Sequence, residues 1–131
     1  MRKYIITPAL LAIVCMVMCH CTFNRKASVA ANEYLIQGEL ANLPDSIVIG
    51  LYEEDGNILN CVLRDTLMNG QFSFRDTIST TRKMLIMSDN RGFPGTWLEV
   101  WIAPGEYIEI KGQDKLVKTW EVVSDVPEQQ E

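Results

Sequence analysis

The sequence predicts an all-β protein: an antiparallel β-sandwich or small barrel of about seven or eight strands, behind an N-terminal export or anchor segment. Two observations carry this prediction. From Tyr34 onward, apolar and polar residues alternate in short runs, which is the two-residue period of a half-buried strand. Turn-forming pairs such as Asp55-Gly56 and Asn69-Gly70 separate the runs, and no segment combines the period of a helix with helix caps.

The N-terminal segment differs in composition from the rest of the chain. Arg2 and Lys3 form a basic start, and residues 4–18 are an almost unbroken apolar run. Because this is the order found in secretory signals, residues 1–21 are predicted to be a signal peptide and residues 22–32 a linker. An uncleaved membrane anchor is the alternative, since the uncharged stretch extends to Phe23. Both interpretations place the protein in a bacterial cell envelope, in the periplasm and tethered to a membrane.

Three of the four cysteines, Cys15, Cys19 and Cys21, lie in or directly after the apolar run. A cysteine at the end of such a run is typical of a bacterial lipoprotein, whose thiol is acylated after cleavage. Cys21 is the preferred lipidation site and Cys19 the alternative. Each follows a larger residue, His20 or Met18, than lipoprotein processing favours, so a chain without lipid is also considered. The predicted tether is a lipid or the N-terminal segment itself.

The predicted β domain covers residues 33–124. Its strands are placed, in chain order, at residues 34–40, 47–53, 58–67, 71–75, 83–88, 96–102, 107–111 and 117–123. The pair Pro104-Gly105 predicts a type II turn before the seventh strand. Residues 125–131 are polar and are predicted to be a linker-like tail.

The alternation also predicts which side chains face the core. The predicted inward set is Phe72, Phe74, Leu98, Val100, Ile102, Ile108 and Ile110. Cys61 is in phase with Leu59 and Leu63, so we expect it to be a small buried hydrophobic residue. A reactive or intermolecular thiol is the alternative for Cys61.

The sixth strand carries the candidate interaction surface, which consists of Trp97, Glu99 and Trp101. These residues alternate with the predicted core residues of the same strand and are therefore expected to face outward. Exposed aromatic rings on a sheet stack on sugars or contact a protein partner. The alternatives are that a loop or a neighbouring strand covers these rings, or that theirs is the true core face.

The residue types that common catalytic and metal sites require are scarce. The single histidine, His20, lies in the predicted export segment, so the mature domain lacks an imidazole for Ser-His-Asp or Cys-His catalysis. A metal site formed by Cys19, His20 and Cys21 is disfavoured because these ligands are too closely spaced. Cys61 has no second thiol nearby to resolve a disulfide, and residues 53–57 lack the spacing of a calcium loop. We therefore expect a protein without catalytic residues, cofactor or metal, and not an enzyme.

The charge pattern bears on partners. The net charge is −5, from 12 Lys and Arg residues against 17 Asp and Glu residues that are scattered among them. Binding to a nucleic-acid backbone requires clustered basic side chains, and no such cluster is present. Nucleic acid is therefore not an expected partner.

Three segments together carry a family resemblance: residues 69–74 (NGQFSF), residues 102–110 (IAPGEYIEI) and residues 120–124 (WEVVS), followed by Pro127. In this order, and with the opening residues 34–38 (YLIQG), they resemble the N-terminal β-sandwich domain of unknown function that precedes the thioredoxin-like domain in envelope thiol–disulfide oxidoreductases and peroxiredoxin-like proteins. The resemblance covers residues 33–131. The thioredoxin half with its Cys-x-x-Cys pair is not in this sequence, so its redox activity is not carried over.

Three functions are consistent with this reading of the sequence. The leading one is a non-catalytic accessory or interaction domain of the cell envelope, for which a thioredoxin-like envelope protein is the possible partner that the resemblance implies. The second is a glycan- or ligand-binding envelope lipoprotein. The third is an inactive fragment of a truncated thiol–disulfide oxidoreductase.

Overall fold

The computed structural model of the chain describes residues 28–130. Its strands are β1 (Glu33–Leu40), β2 (Ile47–Asp55), β3 (Ile58–Leu67), β4 (Gln71–Thr77), β5 (Arg82–Met87), β6 (Leu98–Ile102), β7 (Tyr107–Gly112) and β8 (Glu121–Val123). Two short 3-10 helices, Val117–Thr119 and Pro127–Gln130, lie on either side of β8. The first seven predicted strands are confirmed, with small shifts at their ends.

The strands form two four-stranded sheets. The first sheet has the order β4-β1-β7-β8 and the second the order β3-β2-β5-β6. The sheets pack as a sandwich and do not close into a barrel, so the predicted all-β sandwich is confirmed and the barrel alternative is wrong. One pair departs from the predicted antiparallel arrangement: β1 runs parallel to β7, whereas it pairs antiparallel with β4.

The core lies between the sheets and takes side chains from both inner faces. Its largest fully buried members are Tyr34, Phe74, Ile36, Leu40, Ile47, Ile49, Leu51, Leu67, Ile86, Ile102, Ile108 and Ile110. The predicted inward residues are confirmed, since all are buried except Leu98, which is partly buried against the same cluster. Phe72 also covers Gly38, its partner across β1 and β4. A Cβ atom on Gly38 would lie 1.9 Å from Phe72 Cε1, so any larger residue there would have to displace the Phe72 ring.

The turns explain where the strands end. Asn69 and Gly70 both have positive φ, 51° and 75°, as a type I′ hairpin turn between β3 and β4 requires. The β2–β3 hairpin turns one residue later than predicted, because Asp55 is the last residue of β2 and Gly56 is the first turn residue, with φ 61°. Gly105 has φ 79°, in agreement with the predicted type II turn.

A bulge in β3 corrects the prediction for Cys61. Leu51 pairs with Leu63, but the next residue, Tyr52, pairs with Cys61, so Val62 has no partner on β2. An extra residue in one strand reverses its inside–outside phase beyond that point. Leu63 therefore packs against the core, whereas Leu59 is exposed and Cys61 is only half-buried.

The predicted strand at residues 117–123 is only partly correct, because the 3-10 helix replaces its first half. The Asp114 carboxylate accepts a hydrogen bond from the Leu116 backbone N–H at 2.7 Å. The indole N–H of Trp120 donates to the Asp114 carbonyl at 2.8 Å. These local bonds fold the segment back and bury Trp120 edge-on against Phe93, with ring centroids 5.7 Å apart.

The segment predicted to be a linker-like tail packs against the domain. Val126 is buried, and the 3-10 helix that follows it contacts β6. The Gln129 side-chain oxygen accepts the Trp101 backbone N–H at 2.8 Å. The packed part of the chain thus extends beyond Ser124.

Candidate functional site

The predicted interaction surface lies on the outer side of β6, an edge strand of the second sheet. Val100 and Ile102 are fully buried, whereas Trp97 is 52% exposed, so the predicted direction of this strand is confirmed. Trp97 immediately precedes the strand rather than lying within it. Glu99 is exposed, and its carboxylate lies 3.5 Å from the Lys83 ammonium. We refer to Trp97, Glu99 and Trp101 as the β6 patch.

Trp101 is more covered than Trp97. It is half-buried, and its backbone N–H is bonded by Gln129 from the C-terminal 3-10 helix. One alternative for these rings was that a neighbouring segment covers them. For Trp101 this alternative is partly correct. The side chain of Trp97 remains the most exposed aromatic group of the described residues.

Sequence reasoning missed an apolar row that crosses the outer face of the second sheet and leads to the β6 patch. Cys61, Tyr52, Leu85 and Glu99 are successive partners across β3, β2, β5 and β6. Leu85 is only 5% exposed, although it belongs to the outer face and not to the core between the sheets. We refer to Cys61, Tyr52 and Leu85 as the transverse row.

A sequence signal for the transverse row does exist. A continuous apolar run in β5 consists of Met84, Leu85 and Ile86. A strand with one solvent-exposed face would instead alternate apolar with polar residues. All three are buried. Such a run indicates a strand that is apolar on both faces, and it could have predicted the buried outer position of Leu85.

Tyr52 occupies the centre of this outer face. Its ring lies over Gly50, where a Cβ atom would be 2.4 Å from Tyr52 Cε2. Burial raises the pKa of the Tyr52 phenol, and the neighbouring Cys61 and Asp89 raise it further. The phenol is therefore neutral at physiological pH, so Tyr52 adds no charge next to Leu85, its partner on β5.

The outer face of the first sheet is different in character. A groove of about 540 Å³ is bordered there by β1, β4, β7 and the corner between β3 and β4. The Tyr107 hydroxyl donates a hydrogen bond to Gln37 Oε1 at 2.8 Å. The Asp65 carboxylate accepts the Ser73 backbone N–H at 2.8 Å and links the two strands at the corner. The groove is therefore a largely polar surface, and the aromatic side chains that line it are Phe72 and Tyr107.

A second cavity, of about 380 Å³, opens at the end of the sandwich where β1 begins and β4 ends. It is bordered by Tyr34, Asp76, Val62 and an ion pair between Glu53 and Arg82. We refer to it as the end cavity. No part of it was predicted, because its residues come from five strands that alternation alone does not bring together.

The Tyr34 hydroxyl is an unusual feature of the end cavity. Tyr34 is only 1% exposed, and its hydroxyl oxygen has no hydrogen-bond partner within residues 28–130. A buried polar group left without a partner costs about 1–3 kcal/mol. Burial raises the pKa of this phenol to about 12, and the nearby Asp76 carboxylate contributes to the rise.

The described residues form no cluster of three or more histidine, cysteine or acidic side chains that could hold a metal ion. Cys61 is the one cysteine among them, and its thiol donates to the Leu63 carbonyl at 3.4 Å. The predicted lipidation sites Cys21 and Cys19, and His20 between them, lie outside the described residues. Between residues 28 and 130, no helix is long and apolar enough to cross a membrane.

Comparison of the chain with protein-family models, with curated proteins and with solved structures finds no match in any of the three. The resemblance to the domain that precedes envelope thioredoxin-like domains therefore stays a prediction from the sequence.

Proposed function

We propose that this chain is a non-catalytic interaction module of the bacterial cell envelope that contacts a protein partner through the second sheet. The observation that carries the proposal is the continuity of the β6 patch with the transverse row. Trp97 is half-exposed at one end of this surface, and Leu85 beside Glu99 is buried. The accessible part of the surface therefore consists of Trp97 and the half-buried side chains of Trp101, Tyr52 and Cys61. Contiguous apolar surface rimmed by charge is characteristic of protein interaction sites.

The chemistry of this surface favours a protein rather than a small molecule. It is a sheet face and not a concave pocket, and tryptophan and tyrosine are the residues that most often dominate protein interfaces. The Lys83–Glu99 ion pair lies within it, so the surface offers charged groups beside its aromatic ones. The sequence resemblance supports a thioredoxin-like envelope protein as the partner.

The interaction is tested by replacing the exposed ring. The full chain and its Trp97→Ala variant are used as bait for envelope extracts, with Leu116→Ala as the matched control. Leu116 is also exposed, at 63%, but belongs to neither the β6 patch nor the transverse row. Loss of a tryptophan that dominates an interface should weaken partner capture by about thirtyfold or more, since such residues contribute about 2 kcal/mol or more. Equal capture by the Trp97→Ala variant and the parent chain would contradict the proposal.

The tether is proposed to be a lipid at Cys21 or, alternatively, the uncleaved N-terminal segment. The support is the basic start followed by an apolar run that ends in cysteines. The full chain should fractionate with bacterial membranes. If Cys21→Ser alone releases it, acylation at Cys21 is supported; release only by Cys19→Ser points to the other thiol. Membrane retention of the double variant supports the anchor, and a cytosolic parent chain contradicts both.

A second candidate function is glycan binding, and the polar groove on the first sheet favours it. Sugars are bound by planar amide and carboxylate groups around an aromatic ring, and Gln37, Glu109 and Tyr107 border the groove. Saturable retention of the full chain on envelope polysaccharide, lost in Tyr107→Ala and kept in Trp97→Ala, would support this candidate. The reverse pattern would favour the β6 patch instead.

A further inference from the structure

The end cavity combines an acidic rim with an apolar wall. Two carboxylates, Glu53 and Asp76, face one guanidinium, that of Arg82, so the charge at the cavity is −1. The Arg82 guanidinium is already hydrogen-bonded to Glu53. An anion entering the cavity would therefore meet an unbalanced carboxylate, whereas a cation would be attracted.

Asp76 is held in place by its own strand. One carboxylate oxygen accepts the Thr77 backbone N–H at 2.8 Å, which fixes the side chain at the end of β4. Tyr34 is the partner of Asp76 across β1 and β4, so the two side chains share the inner face at this point. The buried, unpartnered Tyr34 hydroxyl is thus placed beside a carboxylate at the border of the same cavity.

The apolar wall consists of Val62, Ile78 and Met84. Val62 is the bulged residue of β3, and it has no partner on β2. The volume of about 380 Å³ lies at the lower end of the range for small-molecule sites. The occupant that fits is therefore small, with one cationic end and one short apolar end.

We propose that the end cavity binds a primary ammonium group carried on a short aliphatic stem. The ammonium donates hydrogen bonds to the Asp76 carboxylate and to the Tyr34 hydroxyl oxygen, which gives the buried phenol oxygen a hydrogen-bond partner. The stem packs against Val62, Ile78 and Met84. This site is independent of the β6 patch, which lies on the outer face of the second sheet.

The chemistry admits two sources: a free aliphatic amine, or the lysine side chain of a partner protein. The test follows backbone amide signals of the full chain in mild detergent by NMR during titration with n-butylamine. Butan-1-ol and butyrate are the neutral and anionic controls, and Nα-acetyl-lysine N-methylamide represents the lysine side chain. The reporting signals are the backbone amides of Thr77 and Ile78, at the cavity rim.

We expect saturable shifts with n-butylamine, with an affinity about tenfold or more above that of butan-1-ol, because charge-assisted hydrogen bonds are the stronger kind. Butyrate should cause no saturable shift. Asp76→Asn, which keeps an oxygen for the Thr77 N–H, should weaken amine binding by about tenfold. Tyr34→Phe should weaken it by a smaller factor. Asp114→Asn, far from the cavity, is the matched control and should bind as the parent chain does.

Tighter binding of the lysine derivative than of n-butylamine would identify a protein side chain as the source, and the opposite order a free amine. The proposal is overturned if no probe causes saturable shifts, as expected of a cavity that holds only water. It is also overturned if butyrate or butan-1-ol binds as well as the amine, or if Asp76→Asn leaves amine binding unchanged.

Discussion

The outer faces of the two sheets are built by the same alternation but differ in chemistry. On the first sheet, the outward positions of β1 and β7 carry Gln37, Glu39 and Glu109, with Leu35 as a buried exception. On the second sheet, the outward positions of β2 and β5 carry Tyr52 and Leu85. A two-residue period predicts on which face of a strand a side chain lies. Whether that face is exposed to solvent depends on the side chains that surround it. The apolar outer face is the one that we propose for protein contact.

The largest expected effect concerns the inner faces, where the two sheets should behave alike. Phe74 of the first sheet and Ile86 of the second are both buried in the core. Phe74→Ala and Ile86→Ala should each lower the free energy of unfolding by about 2–5 kcal/mol, because each leaves a cavity. Trp97→Ala should cost roughly 1 kcal/mol or less. Urea unfolding curves of the three variants measure this, and a Trp97→Ala variant as unstable as the core variants would reverse the assigned faces of β6.

The next effect separates the outer faces. Leu85→Ala should cost about 2–3 kcal/mol, the lower part of the range for buried leucines, since its side chain is buried outside the main core. Glu39→Ala on the outer face of the first sheet should stay within about 0.5 kcal/mol. The same urea curves provide the measurement. If Leu85→Ala were also neutral, the transverse row would be ordinary surface and the contrast between the faces would disappear.

The third effect is the pH dependence of stability, which should differ between Tyr34, inside the sandwich, and the tyrosines on its outer faces. The folded pKa of Tyr34, about 12, lies above its ordinary value of 10.0. The folded state therefore holds this proton more tightly, so the stability from Tyr34 is fully present below pH 10 and is lost as the pH rises toward 12. The loss should be roughly 2–3 kcal/mol. The free energy of unfolding, measured across this pH window, should fall less steeply with pH in the Tyr34→Phe variant than in the parent chain.

Tyr52 and Tyr107, on the two outer faces, also have pKa values raised by burial and contribute in the same direction. Tyr107→Phe therefore serves as the control for the third effect. The inner placement of Tyr34 would be contradicted if the stability of the Tyr34→Phe variant fell as steeply with pH as that of the parent chain. It would also be contradicted if Tyr107→Phe reduced this fall more than Tyr34→Phe does.

The smallest effect compares two glycines that lie under aromatic rings. A Cβ atom on Gly38 would collide with Phe72 in the core, and one on Gly50 would collide with Tyr52 on the outer face. The Phe72 ring is confined between the sheets, so Gly38→Ala should cost about 1–2 kcal/mol by overpacking. The Tyr52 ring has solvent on one side and can move, so Gly50→Ala should cost less. Thermal unfolding ranks the two, and equal costs would mean that the outer face of the second sheet is as confined as the core.

Local patterns in the sequence predicted most of the fold but only part of the candidate site. Alternation and turn residues are encoded within a few neighbouring positions, so seven strands and the direction of β6 could be predicted. The prediction failed for Cys61, because the bulge at Val62 depends on pairing with β2. It failed at residues 117–119, where hydrogen bonds to Asp114 outweigh the strand pattern. The end cavity depends on which strands become neighbours, and no local pattern contains that information.

The parallel pairing of β1 with β7 has a consequence for how the chain folds. The Tyr107 hydroxyl reaches Gln37 across 70 positions of sequence, whereas β2 pairs with β3 through a turn of two residues. Contacts between distant segments form slowly because closing a long loop costs entropy. The hairpins of the second sheet can thus form early. In contrast, β1 cannot pair with β7 until the chain has been synthesised as far as Gly112. In that interval the edge of β1 that later pairs with β7 is open, so it can pair with a wrong strand.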